Sequence, residues 1–368
     1  MDRNDLMLVT GASGFIGGRL VELLSERGLR VRAAVSNAGN LARISQLNAE
    51  TVRADLTDHA ALSQAVAGCN VVFHVAYRFG GTARQQKINL DGTRILAEAF
   101  LKQGGRRFVH VSSMSAYGDP YDGVLTEQTL QRPTREPYSA TKQNIERLLL
   151  DMHRTRGLPA TILQPAIVYG PYGSIWTTPL LEQVRSMRVV LPKGGLGLCN
   201  AVYVDDVVNA LLLTADCDAA VGETFLISGA SPVTWREFYR AYETMVGRTA
   251  VIDLDEAQLR LAEGRLGRLR HSAPLGWLLA GVRRLLPGTI KAALKRGFRL
   301  LQQPRVDASG AEPPLVIPDG LLHALYASKT HIRIDKARTK LGYSPAFDLD
   351  EGMARTAEWA RSANLIKS

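Results

Sequence analysis

The stretch from Leu6 to Gly17 constrains this chain more than any other. "LMLVTG" is a short apolar strand that runs straight into a turn, and Gly11, Gly14 and Gly17 follow with G-x-x-G-x-x-G spacing. The run after them, "FIGGRLVELLSERG", sets Ile16, Leu20, Leu23 and Leu24 at helical intervals. A strand, a glycine turn and a helix in this order make the opening unit of a parallel sheet that binds a dinucleotide. Gly11 permits the tight turn, Gly14 lets the backbone approach a pyrophosphate, and Gly17 lets the helix pack close to the strand. The helix start contributes N–H donors and the positive end of its dipole, both suited to phosphate.

Far downstream, "YSATK" places Tyr138 and Lys142 four residues apart. On a helix that spacing puts both side chains on one face. A free phenol has a pKa of about 10 and is a poor base at neutral pH. A neighbouring ammonium favours the phenolate, so Lys142 is expected to lower the Tyr138 pKa. Tyr138 could then exchange a proton with an alcohol or a ketone while hydride moves to or from a nicotinamide.

Several further segments occur in family order. "ADL" carries Asp55 and Leu56, "VVFHVAY" spans Val71 to Tyr77, and "NLDGT" spans Asn89 to Thr93. "VHVSSMSAYG" runs from Val109 to Gly118, "QPAIVYGP" from Gln164 to Pro171, and "YVDDVVNAL" from Tyr203 to Leu211. With the glycine loop and the Tyr-x-x-x-Lys pair, the chain resembles an extended short-chain dehydrogenase/reductase. That group includes nucleotide-sugar epimerases and dehydratases, 3β-hydroxysteroid dehydrogenases and dihydroflavonol reductases. The likeness covers about residues 6 to 247 and resumes near 328 to 361.

The resemblance implies an α/β fold: a doubly wound parallel-sheet Rossmann domain with a smaller C-terminal substrate lobe. Residues 1–165, with parts of 200–228, would form the NAD(P)-binding domain, and 166–368 the substrate lobe. Ser113, Tyr138 and Lys142 would be the catalytic residues, Ser113 by count back from Tyr117-Gly118. The cofactor would lie against Gly11, Ser13, Gly14, Phe15, Ile16 and Gly17. Asp55 and Leu56 would meet its adenine. Val75, Ala76, Tyr77, Asn89, Val111, Pro165, Ile167 and Val168 would complete its bed.

NAD enzymes of this fold place an acid at the end of the second strand to hold the ribose hydroxyls. Here that position is Val35. Ser36, Asn37 and Arg43 offer a hydroxyl, an amide and a guanidinium for a 2′-phosphate. The expected cofactor is NADP, with NAD the alternative. No metal is expected, because Cys69, Cys199 and Cys217 are scattered with no C-x-x-C and no His cluster.

Met114 and Ser115 follow Ser113, where relatives that dehydrate a sugar carry an Asp-Glu pair. Neither can move a carbon-bound proton at neutral pH. Simple alcohol/ketone redox or redox-driven epimerisation remains. On the substrate side, Gln164 and Ile167 stand where nucleotide-sugar enzymes often carry Arg and Asn, and no Arg precedes "VDD". These departures weaken a nucleotide-sugar reading and favour a hydrophobic or lipid-linked substrate. The alternatives are a nucleotide-sugar epimerase in polysaccharide synthesis and a non-catalytic NADP-sensing regulator.

At 368 residues and 46% apolar, the chain suits one large α/β unit with a substrate lobe. Met1 to Asp5 is polar and no apolar run reaches the roughly 20 residues of a membrane span, so a cytoplasmic enzyme is expected. The least family-like part is Leu259 to Gln303. It holds ten Lys/Arg and one acid, a net +9 against +10 for the whole chain. Two apolar stripes lie in it, on either side of Pro287-Gly288, with helices expected at about 275–286 and 289–301. Residues 255–320 are therefore read as a basic amphipathic insert that docks on an anionic membrane, peripherally and on its inner face. Packing on the substrate lobe or in a homodimer is the competing reading. With only Trp277 and Phe298 as aromatics there, no nucleic-acid partner is expected.

Overall fold

The computed structural model describes residues 4–36, 41–254, 313–318 and 320–367. Its centre is a seven-stranded sheet of β1 (Leu6–Thr10), β2 (Arg30–Val35), β3 (Glu50–Arg53), β4 (Val71–His74), β5 (Arg107–Val111), β7 (Ala160–Pro165) and β12 (Thr224–Ile227). Short strands lie between and after these: β6 (Gly123–Leu125), β8 (Ile167–Tyr169), β9 (Arg188–Val190), β10 (Leu198–Cys199), β11 (Ala201–Tyr203), β13 (Val233–Thr234), β14 (Val251–Ile252), β15 (Leu315–Val316) and β16 (Thr330–Ile332). The helices are α1 (Phe15–Glu26), α2 (His59–Val66), α3 (Ala83–Lys102), α4 (Pro137–Arg156), α5 (Thr178–Ser186), α6 (Val204–Asp216), α7 (Trp235–Val246), α8 (Gly320–Ala327), α9 (Asp335–Leu341) and α10 (Leu349–Ser362).

The large sheet runs β12-β7-β5-β4-β1-β2-β3, and every pair is parallel. The chain winds outward from β1 in both directions, so a crevice opens at the carboxyl ends of β1 and β4. Both sheet faces are covered, which explains why the strands read as continuous apolar runs. Met7, Val9, Val109 and Leu163 pack on one face with Leu20 of α1 and Leu211 of α6. Leu8, Val72, Phe108 and Ile162 face the other way, onto Leu62 of α2, Phe100 of α3 and Leu149 of α4.

The second lobe has its own core. Trp235, Phe238, Tyr239 and Tyr242 of α7 pack with Tyr326 of α8 and Val189 of β9. Its sheets are small, the largest being the parallel β14-β9-β15. β15 lies inside the residues assigned to the insert, yet Leu315 and Val316 hydrogen-bond along β9 in the second lobe. α8 likewise begins inside the residues assigned to the insert. The expected insert helices at 275–286 and 289–301 lie outside the described residues. No helix among the described residues is long and apolar enough to cross a membrane.

Candidate active site

The crevice predicted by the strand order is a cleft of about 870 Å³ between the large sheet and the second lobe. Its floor is the glycine loop. Gly11 adopts φ +69°, and a Cβ there would sit 2.9 Å from the backbone of Ala76 on the neighbouring strand's exit. A Cβ on Gly17 would come within 2.3 Å of the Gly11 carbonyl, so the helix can approach the strand this closely only through glycine. Gly14 is the N-cap of α1 and makes no side-chain cap. The first amides of α1 thus remain uncapped by any side chain at the cleft, as a pyrophosphate requires. This cradle fits a dinucleotide.

Thr10, not singled out in the sequence, holds the switch point together. Its hydroxyl accepts from the Val75 and Ala76 amides, both at 3.2 Å, and pairs with His74 Nδ1 at 2.8 Å. His74 Nε2 reaches Thr93 on α3 at 2.8 Å. Burial, aided by the charge of Lys142, pushes His74 down to about 3, so it stays neutral. A buried neutral imidazole bonded at both nitrogens is a structural rivet between β1, β4 and α3.

Tyr138 and Lys142 stand on the first turns of α4. Pro137 begins the helix, and Glu136 caps it by accepting from the Tyr138 and Ser139 amides at 3.0 and 2.6 Å. Ser113, two residues past the end of β5, lines the cleft together with Tyr138. Lys142 is buried, and its Nζ donates to the Val111 carbonyl at 2.8 Å. It lies 4.7 Å from the Tyr77 ring centre and 5.7 Å from that of Tyr138.

The expected depression of the Tyr138 pKa is not what this arrangement gives. Burial dominates and pushes the phenol up to about 12, with the Ser113 hydrogen bond pulling the other way. Burial also pushes Lys142 down to about 7, opposed by the Glu146 carboxylate. The sequence showed the two side chains on one helix face, but not how far the surrounding lobes exclude water from them.

Nearly every residue expected at the cofactor lines the cleft: Gly11, Ser13, Gly14, Phe15, Ile16, Gly17, Ser36, Asp55, Leu56, Val75, Ala76, Tyr77, Val111, Pro165, Ile167 and Val168, besides Ser113, Tyr138 and Lys142. Two do not, and Asn37 lies outside the described residues. Arg43 turns away from the cleft. It donates to Glu22 of α1 at 2.5 and 3.1 Å, reaches the Phe15 carbonyl at 3.3 Å, and stacks over Tyr172 at 4.0 Å. Its guanidinium is thus engaged by a carboxylate on α1, away from the ribose position. Asn89 is buried behind the cleft, where it accepts from the Arg78 amide at 2.7 Å and donates to the Arg78 carbonyl at 3.0 Å. It shapes the loop after β4 without facing the cleft.

No sequence pattern marks the facing wall. Met114, Tyr121, Ile175, Trp176, Leu321 and Leu325 line it, and Phe79 stands at the edge of the pair. Phe79 stacks on Tyr138 at 6.0 Å with a 12° interplanar angle, and Tyr77 meets Tyr138 edge-on at 5.0 Å. Phe79, Ile175 and Leu321 are 61%, 48% and 44% exposed, so the cleft mouth is rimmed with large apolar side chains. Phe79 adjoins a recognisable strand; the others come from loops and a short helix with no periodic signal. Arg78 also lines the cleft, paired with Asp55 at 3.3 Å. Arg53, at the end of β3, donates to the Ser36 carbonyl at 3.0 Å.

A model of the NAD dependent epimerase/dehydratase family matches residues 7–228. A 3-beta-hydroxysteroid dehydrogenase of Mycolicibacterium neoaurum is 28% identical over 372 residues, covering 96% of this chain and 91% of that one. Sterol demethylase protein B of Methylococcus capsulatus is 33% identical over 233 residues, 60% of this chain and 69% of its own. In fold, UDP-glucose 4-epimerase of Thermotoga maritima, solved with UDP-glucose, matches with a TM-score of 0.71 at 23% identity, covering 98% of this chain and 99% of that one. The chain belongs to the NAD dependent epimerase/dehydratase family and is an enzyme of the extended short-chain dehydrogenase/reductase type.

Proposed function

We propose that the protein is an NADP-dependent oxidoreductase that interconverts a secondary alcohol and a ketone on a hydrophobic or lipid-linked substrate. The observation that carries this reading is one cleft in which Ser113, Tyr138 and Lys142 face an apolar wall of Met114, Ile175, Trp176, Leu321 and Leu325. A bound nicotinamide dinucleotide supplies or takes up the hydride. Tyr138, with its phenol pushed up to about 12, is protonated at neutral pH and ready to donate to a ketone oxygen. Ser113 holds that oxygen alongside it, and the Lys142 ammonium steadies the phenolate left behind. Run backwards, the phenolate takes the proton of the alcohol.

The nucleotide half supports NADP. Val35 ends β2 where an acid would hold a ribose, Ser36 lines the cleft, and the guanidinium groups of Arg53 and Arg78 lie at that end. Residues 1–165, with parts of 200–228, form the nucleotide half of this reading, and 166–368 the substrate lobe. The sterol-related names of two relatives support an apolar substrate.

A nucleotide-sugar epimerase has less support. Among the described residues, the only Lys or Arg lining the cleft are Lys142 and Arg78, so the substrate side offers no cation for a diphosphate. A non-catalytic NADP sensor has less still, because the Ser, Tyr and Lys are all kept. Turnover of NADPH with a panel of apolar ketones, set against a panel of nucleotide sugars, tests the reading. Oxidation of NADPH by the ketones supports it, and conversion of a sugar without net oxidation overturns it.

The basic stretch Leu259–Gln303 gives this function a location. Its net charge of +9 and twin apolar stripes support peripheral docking on anionic membrane, from which an apolar substrate could pass to the cleft. Co-sedimentation with anionic liposomes that weakens with salt is the expected result; indifference to anionic liposomes removes this part of the proposal.

A further inference from the structure

Glu146 lies one turn beyond Lys142 on α4 and is 3% exposed. The reaction proposed above leaves it without a role, yet its carboxylate is the best-satisfied group near the site. One oxygen accepts from the Ser112 hydroxyl and from Gln164 Nε2 at 2.9 Å. The other accepts from Gln131 Nε2 at 2.5 Å and from Gln164 Nε2 at 3.0 Å. Gln164 accepts in turn from the Tyr117 hydroxyl at 2.9 Å. The partners come from separate places: Ser112 from the end of β5, Gln164 from β7, Gln131 from the loop before α4, and Tyr117 from the turn after Ser113.

A carboxylate buried this deeply is costly unless its lone pairs are filled and a counter-charge lies near. The donors fill the lone pairs. Burial pushes the Glu146 carboxyl up; its donors, and the charge of Lys142 one turn earlier on the same helix and itself 3% exposed, pull it back down. Ser112 also joins β7 through its amide, which donates to the Leu163 carbonyl at 2.7 Å, and it immediately precedes Ser113. The carboxylate therefore touches the strand end that carries Ser113 and the helix that carries Tyr138 and Lys142.

We infer that Glu146 is a positioning residue for this centre: gripped by Ser112, Gln131 and Gln164, it fixes α4 against the ends of β5 and β7 and supplies the counter-charge of the buried Lys142 ammonium. The inference rests on the Tyr138–Lys142 reading and deepens it. The other groups around the ammonium do not take over this role. His74 on β4 and His110 on β5 are held neutral by burial, and neither His110 ring nitrogen has a partner among the described residues. Tyr77, Tyr117 and Tyr138 are phenols with raised pKa values. Glu136 is spent on the helix cap, and Glu127 accepts from the Leu226 amide at 2.9 Å.

The direct test is an NMR titration of the lysine side-chain nitrogens in the full-length protein, with the Lys142 signal identified by its loss in Lys142→Met. In Glu146→Gln the Lys142 midpoint should fall by about one pH unit. The limb of kcat/KM that falls with rising pH should move the same way. An unchanged midpoint in a folded Glu146→Gln protein overturns the inference, as does a loss of activity that is equal at every pH. Gln131→Ala removes one donor from the half-buried side and should shift the midpoint in the same direction by less; no shift there overturns it equally if Glu146→Gln fails to fold. The titration reads Lys142 without turnover. A failure of the Tyr138 assignment would appear instead as activity surviving in Tyr138→Phe with the midpoint shift intact.

Discussion

The nucleotide wall of the cleft and the substrate wall are assembled in different ways. The first is made by neighbours in sequence: Gly11 to Gly17 form one turn, and their demands are on the backbone, a positive φ at Gly11 and a 2.3 Å approach at Gly17. The second is gathered from the loop after β4, the turn around Trp176, and α8, whose side chains meet only in the folded protein. Backbone demands leave a mark on the sequence because one residue type alone meets them. An apolar wall leaves none, because many side chains of similar size can build it. Under the proposed function the comparison also separates chemistry from choice of substrate, with the nucleotide wall carrying the former and the facing wall the latter.

The sharpest way to break this division is at Tyr138. Tyr138→Phe should bind NADPH as the parent does and lose roughly 10²–10⁴-fold in kcat. Activity within a few-fold of the parent would remove the proton donor from the account.

A second test uses stability. The folded-state pKa of Lys142 is pushed down to about 7, from 10.5 in the free side chain. Above about pH 7 the unfolded chain holds a proton on this lysine that the folded protein has released, so unfolding binds a proton and stability rises with pH. Relative to Lys142→Met, the parent should gain about 2 kcal/mol between pH 7 and 9. Denaturant melts at matched ionic strength check this, and parallel curves would mean that Lys142 keeps its ammonium in the fold.

The substrate wall is probed at Phe79, which stacks on Tyr138 at the exposed mouth. Phe79→Ala should raise KM for an apolar ketone by up to about 10-fold while leaving NADPH binding alone. An equal effect on both ligands would erase the distinction between the two walls.

The smallest effect concerns two arginines, Arg53 beside Ser36 at the ribose end and Arg43, which turns away from it. Arg53→Ala should weaken NADPH more than NADH, by a few-fold at this exposed site. Arg43→Ala should lower stability and change both affinities alike, since Arg43 is held by Glu22. Calorimetric titration with each nucleotide distinguishes the two, and a selective loss in Arg43→Ala would restore the role first expected for it.

That reversal shows where the sequence stops being legible. The parallel order around β1 and the catalytic spacing on α4 could be read, because each follows from contiguous patterns. Arg43 could not, because its partner Glu22 lies on α1, twenty-one positions away, and only the fold brings them together. Nor could the protonation states of Tyr138 and Lys142, which depend on how much water two lobes exclude. Gln164 was read as a substrate-side substitution, whereas it is fully buried between Tyr117 and Glu146. Strand alternation fixes which face a residue takes, but not which ligand, if any, waits there.

Net hydride transfer to an apolar ketone, with the proton supplied by Tyr138, can be followed by incubating the protein with NADPH deuterated at the transferring position and an apolar ketone, then tracing the label. Deuterium should appear on the carbinol carbon of the alcohol, with one oxidised nucleotide per alcohol formed, and both products should form roughly 10²–10⁴-fold more slowly with Tyr138→Phe. Label that stays on the nucleotide, together with inversion of a nucleotide sugar and no net oxidation, would contradict it.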